Sequence, residues 1–435
     1  MHVGRAHLRV RLAPRNFNGL EVDKVFRLMR PWCILFFVYA GSQAFARERV
    51  LTLEEATRLA LLDNPDVRAL TANVEAAKAR LAGASLILQN NPTVTASAGP
   101  RSSPAGETLD YSFQVLQQFE IAGQRGVRVD GAEAALDAAE AQLQALRSEV
   151  TARVRVSLGH ALAAEQRVQL ADETLTIAQQ GVDAADERFR AGAAALLEVN
   201  TARVEVGRAA RARAQAKRDR SETLAELHLL LGLDPSVPVS PAGELKSQDP
   251  VGDPMEMVQQ ALTNRAELRE GRRALDAARA EARLASRDRM PSPRIGASYS
   301  REEESSTSIV QGVLAFDLPL FNRNIAIRGV TAARVSQLEM ALEATERRIK
   351  QEVLTSLDRV EAARAAADGY ADDVVKAMRE NMELATESYR VGKIDYLQLA
   401  VIRRQALEAR REYIDVLEEL NAAQAQLDRA LGRSR

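Results

Sequence analysis

Two long stretches of the chain carry apolar residues at alternating spacings of three and four. The first covers 123–190 and changes phase once, by a four-four step between Val150 and Val154. This spacing predicts a helix of about 68 residues, roughly 100 Å long, that packs as a coiled coil with one stutter. The second stretch, 325–390, predicts another single helix of similar length.

Each long helix is predicted to end in a short stretch that contains glycine. The letters F-R-A-G-A-A-A-L-L-E and Y-R-V-G-K-I-D-Y-L-Q follow the two helices about 200 residues apart. Gly192 and Gly392 tolerate the positive φ with which helices commonly end. The apolar periodicity resumes near Leu197 and Leu397, which begin return helices. Both stretches therefore predict tight helical hairpin tips.

Two other stretches, 93–119 and 294–319, alternate polar and apolar residues with period two. Each surrounds a polar segment, 100–108 in the first and 301–308 in the second, so each predicts a β-hairpin with that segment as its loop. Such strands suit a wall with lipid on one side and water on the other. They suit an exposed soluble hairpin equally well, and the pattern alone leaves both interpretations open.

These elements occur twice in the same order, which indicates an internal duplication. The first repeat is 47–231 and the second is 255–435, with a proline-rich linker, 232–254, between them. Each repeat begins with two short helices. In the first repeat, Thr52 is the expected N-cap of the first helix, and the second is expected over 66–89.

The N-terminus, 1–46, has the features of a secretory signal peptide. Basic residues precede an apolar run that includes Cys33, and Ala44-Phe45-Ala46 fits a cleavage site. Met29 would open a signal peptide of ordinary length and is a candidate true start. The run is short for a membrane span, so a retained signal anchor is the less favoured alternative. Because Cys33 is the only cysteine, the exported chain would contain no disulfide.

The composition argues against several classes of function. Apolar residues make up 46% of the chain but aromatic residues only 4%, which favours closely packed helices over a thick globular core. The net charge of -1 does not suggest a nucleic-acid partner. His160 and His228 stand alone within predicted helices, and no catalytic, metal or cofactor constellation emerges. We therefore expect no enzyme.

The duplicated order, with L-T-L-x-E-A and N-P near its start, the two tips, and L-G at the end of each return helix, resembles the TolC-like outer-membrane efflux proteins. Q-Q-F-E-I-A-G-Q-R-G, 117–126, is similar to the heavy-metal, cobalt-zinc-cadmium branch of that family. The resemblance implies a mainly α fold with a small β part. Duplicated long antiparallel coiled-coil helices would form a periplasmic α-barrel, and two β-hairpins per chain would contribute to a trimeric transmembrane β-barrel.

The same resemblance implies a function. The protein would be a homotrimer in outer-membrane lipid, with a large periplasmic portion. It would be the passive exit duct of a tripartite efflux system, exporting heavy-metal cations delivered by an inner-membrane RND-type pump and a periplasmic adaptor. A multidrug or type I secretion duct is one alternative, and an exported coiled-coil scaffold without a pore is another.

Finally, the resemblance assigns roles to the tips. Residues that would dock the adaptor are Phe189, Arg190, Gly192, Leu197, Tyr389, Arg390, Gly392 and Leu397. The plainer interpretation is that these are helix-ending turns in which Arg190 and Arg390 satisfy terminal carbonyls. Some family members close their tunnel with aspartate rings about two turns beyond the tip glycine; the candidates for such a constriction are Glu198, Asp395 and Gln398.

Overall fold

The structure, a computed structural model, describes five stretches of the chain: 49–104, 106–245, 252–303, 305–370 and 372–433. The predicted signal peptide, 1–46, with Met29 and Cys33, lies outside the described residues. Among the residues that are described, no helix combines the length and the apolar content needed to cross a membrane.

The elements follow one another in the same order in both halves of the chain. The first half contains β1 (Arg49–Leu51), α1 (Leu53–Asp63), α2 (Pro65–Ala84), β2 (Thr93–Ser103), β3 (Gly106–Gln118), α3 (Gln124–Arg190) and α4 (Leu196–Leu231). A short strand and the second half follow: β4 (Val239–Pro241), α5 (Pro254–Asn264), α6 (Ala266–Arg287), β5 (Arg294–Glu302), β6 (Thr307–Ala315), α7 (Ile325–Gly369), α8 (Asp372–Arg390) and α9 (Tyr396–Ala430). The described chain is mainly helical with a small β part, as predicted.

The start of α1 confirms the predicted cap, whereas the end of α2 differs from its prediction. The Thr52 hydroxyl accepts a hydrogen bond from the Glu55 amide at 3.3 Å. The helix α2 ends at Ala84 instead of Gln89. At this end the Ser85 hydroxyl donates to the Ala82 carbonyl at 2.7 Å. Three apolar residues that would have extended α2 find no packing surface and are exposed; they are Leu86, Ile87 and Leu88.

The two long helices differ from each other. The first, α3, is unbroken over 67 residues, and its predicted seam is buried at Val150, Val154 and Ala161. The second prediction, one helix over 325–390, is wrong because α7 ends at Gly369.

The break between α7 and α8 coincides with a glycine and with contacts that the next residue makes on α9. Gly369 is the last residue of α7, and the Tyr370 amide turns back to the Ala367 carbonyl at 3.0 Å. The Tyr370 phenol donates to Glu412 of α9 at 2.5 Å, and its ring lies 6.2 Å from that of Tyr413. Glycine weakens the helix at this point, and the tyrosine gains contacts on α9 in exchange.

Both hairpins join one antiparallel sheet with the order β2-β3-β5-β6. The predicted loop over 100–108 is wrong in extent, because the strands stay paired as far as Ser103 opposite Gly106. Likewise, β5 and β6 stay paired as far as Glu302 opposite Thr307. Polar residues continue into these paired strand ends, so polarity did not mark the turn. Strands β2 and β6 are the two edges of the sheet.

The sheet has one apolar face and one polar face. Val94, Phe113 and Val310 lie on the apolar face and are 67%, 51% and 76% exposed. On the opposite face, Ser97 and Ser112 hydrogen-bond at 2.9 Å. Nothing among the described residues covers the apolar face, so it is available to lipid or to another apolar surface.

The proline-rich linker packs against β1, the first strand of the described residues. Strand β4 pairs in parallel with β1, and the Arg49 amide donates to the Pro238 carbonyl at 2.9 Å. His228, on α4, contacts the Val237 carbonyl at 2.8 Å through Nε2. Helix α5 begins at Pro254, the last residue of the predicted linker, with Asp253 as its N-cap. Residues 246–251 lie outside the described ranges.

Each repeat has its own apolar core, and glycine ends both return helices. Leu227 and Leu231 belong to the first core, and Leu420 and Leu431 belong to the second. Gly232 has φ +66°, and a Cβ there would lie 2.9 Å from a carbonyl oxygen at the end of α1. The return helix must therefore end in glycine where it meets the short helices.

Candidate functional site at the hairpin tips

The two hairpin tips have the same backbone turn. Tip 1 (residues 187–199) joins α3 to α4, and tip 2 (residues 387–399) joins α8 to α9. Gly192 and Gly392 have φ of +73° and +77°, as predicted. The amide after each glycine, in Ala193 or Lys393, bonds the carbonyl five residues earlier at 2.8 Å. These bonds satisfy carbonyls that the ending helices leave without partners.

The return helices begin differently at the two tips. Asp395 forms a capping box with Gln398: its carboxylate accepts from the Gln398 amide at 2.8 Å, while the Gln398 side chain accepts from the Asp395 amide at 3.2 Å. Ala195, at the corresponding position of tip 1, provides no side-chain cap. The first turn of α9 is therefore the better stabilised.

The aromatic residues of the two tips also lie in different environments. Tyr389 is 2% exposed, whereas Phe189, its counterpart, is 42% exposed. Tyr396, the first residue of α9, packs edge-on against Tyr389 with ring centroids 5.7 Å apart. These two tyrosines belong to an apolar cluster that includes Val199 of α4 and Leu399 of α9. Tip 2 is thus packed into the molecule and tip 1 is more open.

Arg188 connects the two tips. Its guanidinium lies 4.6 Å from the centre of the Tyr389 ring and donates to the Tyr389 carbonyl at 2.9 Å. The same group reaches the Ala193 carbonyl at 3.4 Å. Arg190 and Arg390, which were the candidates for bonding terminal carbonyls, are both exposed. Carbonyl capping is a role of Arg188, and sequence reasoning missed this residue.

The constriction candidates are held by other contacts. Asp395 and Gln398 form the capping box with each other. Glu198 accepts a hydrogen bond from the Tyr389 hydroxyl at 3.4 Å, which joins α4 to tip 2 beside the apolar contact of Val199. Burial raises the pKa of Tyr389, with the negative charge of Glu198 contributing, so this hydroxyl stays protonated.

Arg403 is a second residue that sequence reasoning missed. It lies on α9, two turns beyond Tyr396, and donates to the hydroxyl of Thr386 on α8 at 3.3 Å. Its buried Nε has no hydrogen-bond partner among the described residues, and burial lowers the pKa of the guanidinium. Tyr396 and Arg403 are seven residues apart on α9 and so lie toward one face of that helix, and this spacing was the available signal.

Farther along α9 from tip 2, ion pairs join α9 to α3. Arg410 donates to Glu173 at 2.6 Å and Arg155 to Asp428 at 2.5 Å. Between them, Glu418 accepts from both His160 and Arg167. The hydrogen bond to Glu418 raises the pKa of His160. Within the described part of the chain, no group of three or more metal-ligating residues is assembled.

A comparison with known families places this architecture. A family model described as outer membrane efflux protein matches residues 56–233 and again residues 257–433. The chain belongs to the outer membrane efflux protein family. Both matches contain a long helix, a tip and a return helix, so the family pattern covers each repeat in turn. The predicted family is confirmed, and this outer membrane efflux protein functions at the outer membrane, as predicted.

Two curated relatives are similar over most of the chain. The cobalt-zinc-cadmium resistance protein CzcC of Cupriavidus metallidurans is 26% identical over 394 residues, which cover 89% of this chain and 92% of CzcC. The nickel-cobalt-cadmium resistance protein NccC of Alcaligenes xylosoxydans xylosoxydans is 30% identical over 302 residues, 66% of this chain and 68% of NccC.

Solved structures share the fold. The CmeC outer membrane channel of Campylobacter jejuni superposes with a TM-score of 0.75 at 17% identity, covering 87% of this chain and 85% of that one. The predicted fold class, mainly α with a small β part, is confirmed by this likeness. Both the family and the fold are those of channel proteins.

Proposed function

We propose that this outer membrane efflux protein is the passive exit duct of a tripartite efflux system for heavy-metal cations. The observation that carries the proposal is a four-stranded sheet with an exposed apolar face, joined to two long helical hairpins. A sheet of this kind can face lipid, while the hairpins extend away from it. Energy for transport comes from a pump, and the duct supplies the path.

The open edges of the sheet support assembly into a trimer. Strands β2 and β6 have one unpaired side each, and unpaired strand edges are not stable in lipid. Four strands are too few to close a cylinder. Three copies would bring twelve strands to a shared barrel and the helices to a common tunnel; the number three rests on the family resemblance.

The cargo is inferred from relatives. The names of CzcC and NccC associate those proteins with cobalt, zinc, cadmium and nickel. Divalent metal cations are therefore the cargo class that we propose. The two matches of the family model also support the proposed division into repeats 47–231 and 255–435, joined by the linker 232–254.

The exposed part of the tips suits the docking of a periplasmic adaptor. Leu197 is 74% exposed and Leu397 is 65% exposed, beside the exposed Arg190 and Arg390. Phe189 adds apolar surface at tip 1. Tyr389, Gly192 and Gly392 contribute by shaping the turns, because Tyr389 is buried and the glycines permit the left-handed backbone. Opening of the duct would separate the tips and break the bond between Glu198 and Tyr389.

A constriction near the tips would use Glu198 more than its partners. The carboxylate of Asp395 and the amide of Gln398 already bond each other's backbone. Glu198, by contrast, loses its hydrogen bond from the Tyr389 hydroxyl if tip 2 moves. Replacing Glu198 by Ala removes both the side-chain bulk and the acceptor of the Tyr389 hydroxyl, so it should raise ion conductance of the protein in a planar bilayer; unchanged conductance would argue against a constriction at this residue.

Deletion of the gene followed by growth on graded metals and drugs tests the cargo. We expect hypersensitivity to cobalt, zinc, cadmium or nickel, restored by the intact protein. Hypersensitivity to drugs alone would instead indicate a multidrug duct. A protein that fractionates as a soluble elongated dimer would indicate the coiled-coil scaffold.

Docking at the tips needs its own test. Leu197→Asp and Leu397→Asp should each abolish resistance and crosslinking to the adaptor. Leu229→Asp is the matched control, because Leu229 is 81% exposed on α4 but lies far along that helix from the tip. Equal loss in the control would show that the tip variants act through folding or export.

A further inference from the structure

Two exposed apolar segments lie near the base of the sheet, meaning the end at which the helices attach. The leading segment, Leu86–Leu88, precedes β2, and its Ile87 is 78% exposed. The trailing segment, Leu318–Phe321, follows β6, and its Phe321 is 97% exposed. Exposing this much contiguous apolar surface is unfavourable unless a partner covers it.

The two segments lie at the same end of the sheet but at opposite edges. Cross-strand pairing places Thr93, the first residue of β2, in line with Leu116 and then with Gly296 and Val313. The start of β2 and the end of β6 are therefore both at the base. Since β2 and β6 are the outermost strands, a single copy cannot bring the segments together.

The strand directions allow a second copy to do so. Strand β2 runs away from the base and β6 runs toward it, so β6 of one copy placed beside β2 of another forms an antiparallel pair, like the other neighbours in this sheet. That pairing would place the trailing segment of one copy next to the leading segment of the other.

The contact between the two repeats of one copy, where β3 pairs with β5, provides a contrast; we call it the internal joint, and the contact between β6 of one copy and β2 of the next the outer joint. Between β3 and β5, the residues that correspond to the leading segment are Arg287, Asp288 and Arg289. Arg287 donates to the Gly123 carbonyl, and Arg128 pairs with Glu120 at 2.5 Å beside it. The leading side of the internal joint is thus charged, and Arg287 is bonded across it to Gly123, although Phe119 and Ile121 on the other side are 37% and 67% exposed. At the outer joint both sides are apolar, and both are exposed in a single copy.

We propose that the leading segment of one copy packs against the trailing segment of its neighbour, sealing the base of each joint between copies. The inference rests on the proposed trimer and adds the surface that holds it together. The partner that covers each segment is a second copy of this chain, because β2 and β6, the edge strands beside the segments, also need a second copy to pair with.

Crosslinking between copies tests the proposal directly. The only Cys and the only Trp of the sequence, Cys33 and Trp32, lie in the predicted signal peptide, so the exported chain offers a clean background. The variant Ile87→Cys/Phe321→Cys, treated with a short bismaleimide in intact outer membranes, should give covalent oligomers that survive heating in detergent. The control Leu229→Cys/Phe321→Cys, with an equally exposed apolar site on α4, should give none.

A second measurement separates a neighbouring copy from lipid. Phe321→Trp should emit at short wavelength and resist quenching in bilayers that contain brominated phospholipid. Strong quenching, or no more crosslinking than in the control pair, would overturn the proposal. If the unsubstituted protein is a trimer in the outer membrane that heating dissociates, such a result rejects only this contact. If it is a monomer there, the proposed function itself fails.

Discussion

Tip 1 and tip 2 end their incoming helices with the same hydrogen bonds and glycine conformation, yet they are embedded in different surroundings. At tip 2 the aromatic residue is buried, the return helix is capped, and Arg188 of the other repeat lies over the ring. At tip 1 the aromatic residue is half exposed and the return helix is uncapped. Duplication preserved the backbone turn, and the contacts around it diverged.

The difference indicates that the two tips have different roles. A turn is stabilised by bonds within a few residues, so it survives sequence change elsewhere. Packing depends on the partner surface, and only tip 2 has its aromatic residue buried in the apolar cluster. We therefore expect tip 2 to hold the closed arrangement and tip 1 to offer the more accessible surface.

The largest expected effect comes from the aromatic residues. Tyr389→Ala should lower the free energy of local opening at the tips by about 3 kcal/mol, because it removes a fully buried ring. Phe189→Ala should cost less than about 1 kcal/mol. Hydrogen exchange of the tip amides measures both. Equal costs would show that the two tips are packed alike.

Tyr389→Phe separates the ring from its hydroxyl. It keeps the packing but removes the bond to Glu198, so we expect a loss of about 1 kcal/mol or less. A loss as large as that of Tyr389→Ala would make the hydrogen bond, and not burial, the source of tip 2's stability.

Substitutions at the two tip glycines should have equal effects on stability, because the two turns have the same backbone conformation. Gly192→Ala and Gly392→Ala both force a Cβ into the left-handed region, where the space is open at each site. Each should cost about 1–2 kcal/mol in the same exchange measurement. A clear difference between the two would contradict the identity of the turns.

Capping should account for a smaller difference. Asp395→Ala should reduce the protection of the first turn of α9 by about 1 kcal/mol. Ala195→Ser should raise the protection of the first turn of α4, because Glu198 stands at the position that completes a capping box. No gain in this variant would show that a side chain at position 195 does not cap α4.

The smallest expected effect is the pH dependence of the ion pairs between repeats. Because Glu418 raises the pKa of His160, the charged pair stabilises the fold at acidic pH and is lost as pH rises through that pKa. His160 is partly exposed, so the change should be a few tenths of a kcal/mol. Urea unfolding at about pH 6 and about pH 8.5 measures it.

His160→Gln is the matched variant for the pH experiment. It should reduce the pH dependence while keeping a polar side chain beside Glu418. The corresponding residue of the second repeat is Val360, which is buried in an apolar core and cannot titrate. A pH dependence that persists in His160→Gln would assign it to other groups.

Much of the local structure was determined by the sequence alone. Thr52, Gly192 and Gly392 act where they were predicted to act, because caps and helix ends depend on bonds within a few residues. The long helix α3 follows from a seam that continues through a single stutter. Periodicity and turn chemistry are local properties, and the duplication allowed each prediction in one half to be compared with the other.

Contacts between distant segments were decided only by the tertiary structure. The break after Gly369 depends on Glu412 and Tyr413 of α9, and the hairpin loops proved shorter than their polar residues suggested. Arg188 and Arg403 acquired their roles from Tyr389 and Thr386, which another helix brings to them. Local patterns predict the order of the helices and strands, together with the cap at Thr52 and the turns at Gly192 and Gly392, because those features depend on a few neighbouring residues. Which tip is buried, which arginine bridges the tips and which apolar segments remain open depend on packing between elements far apart in the chain.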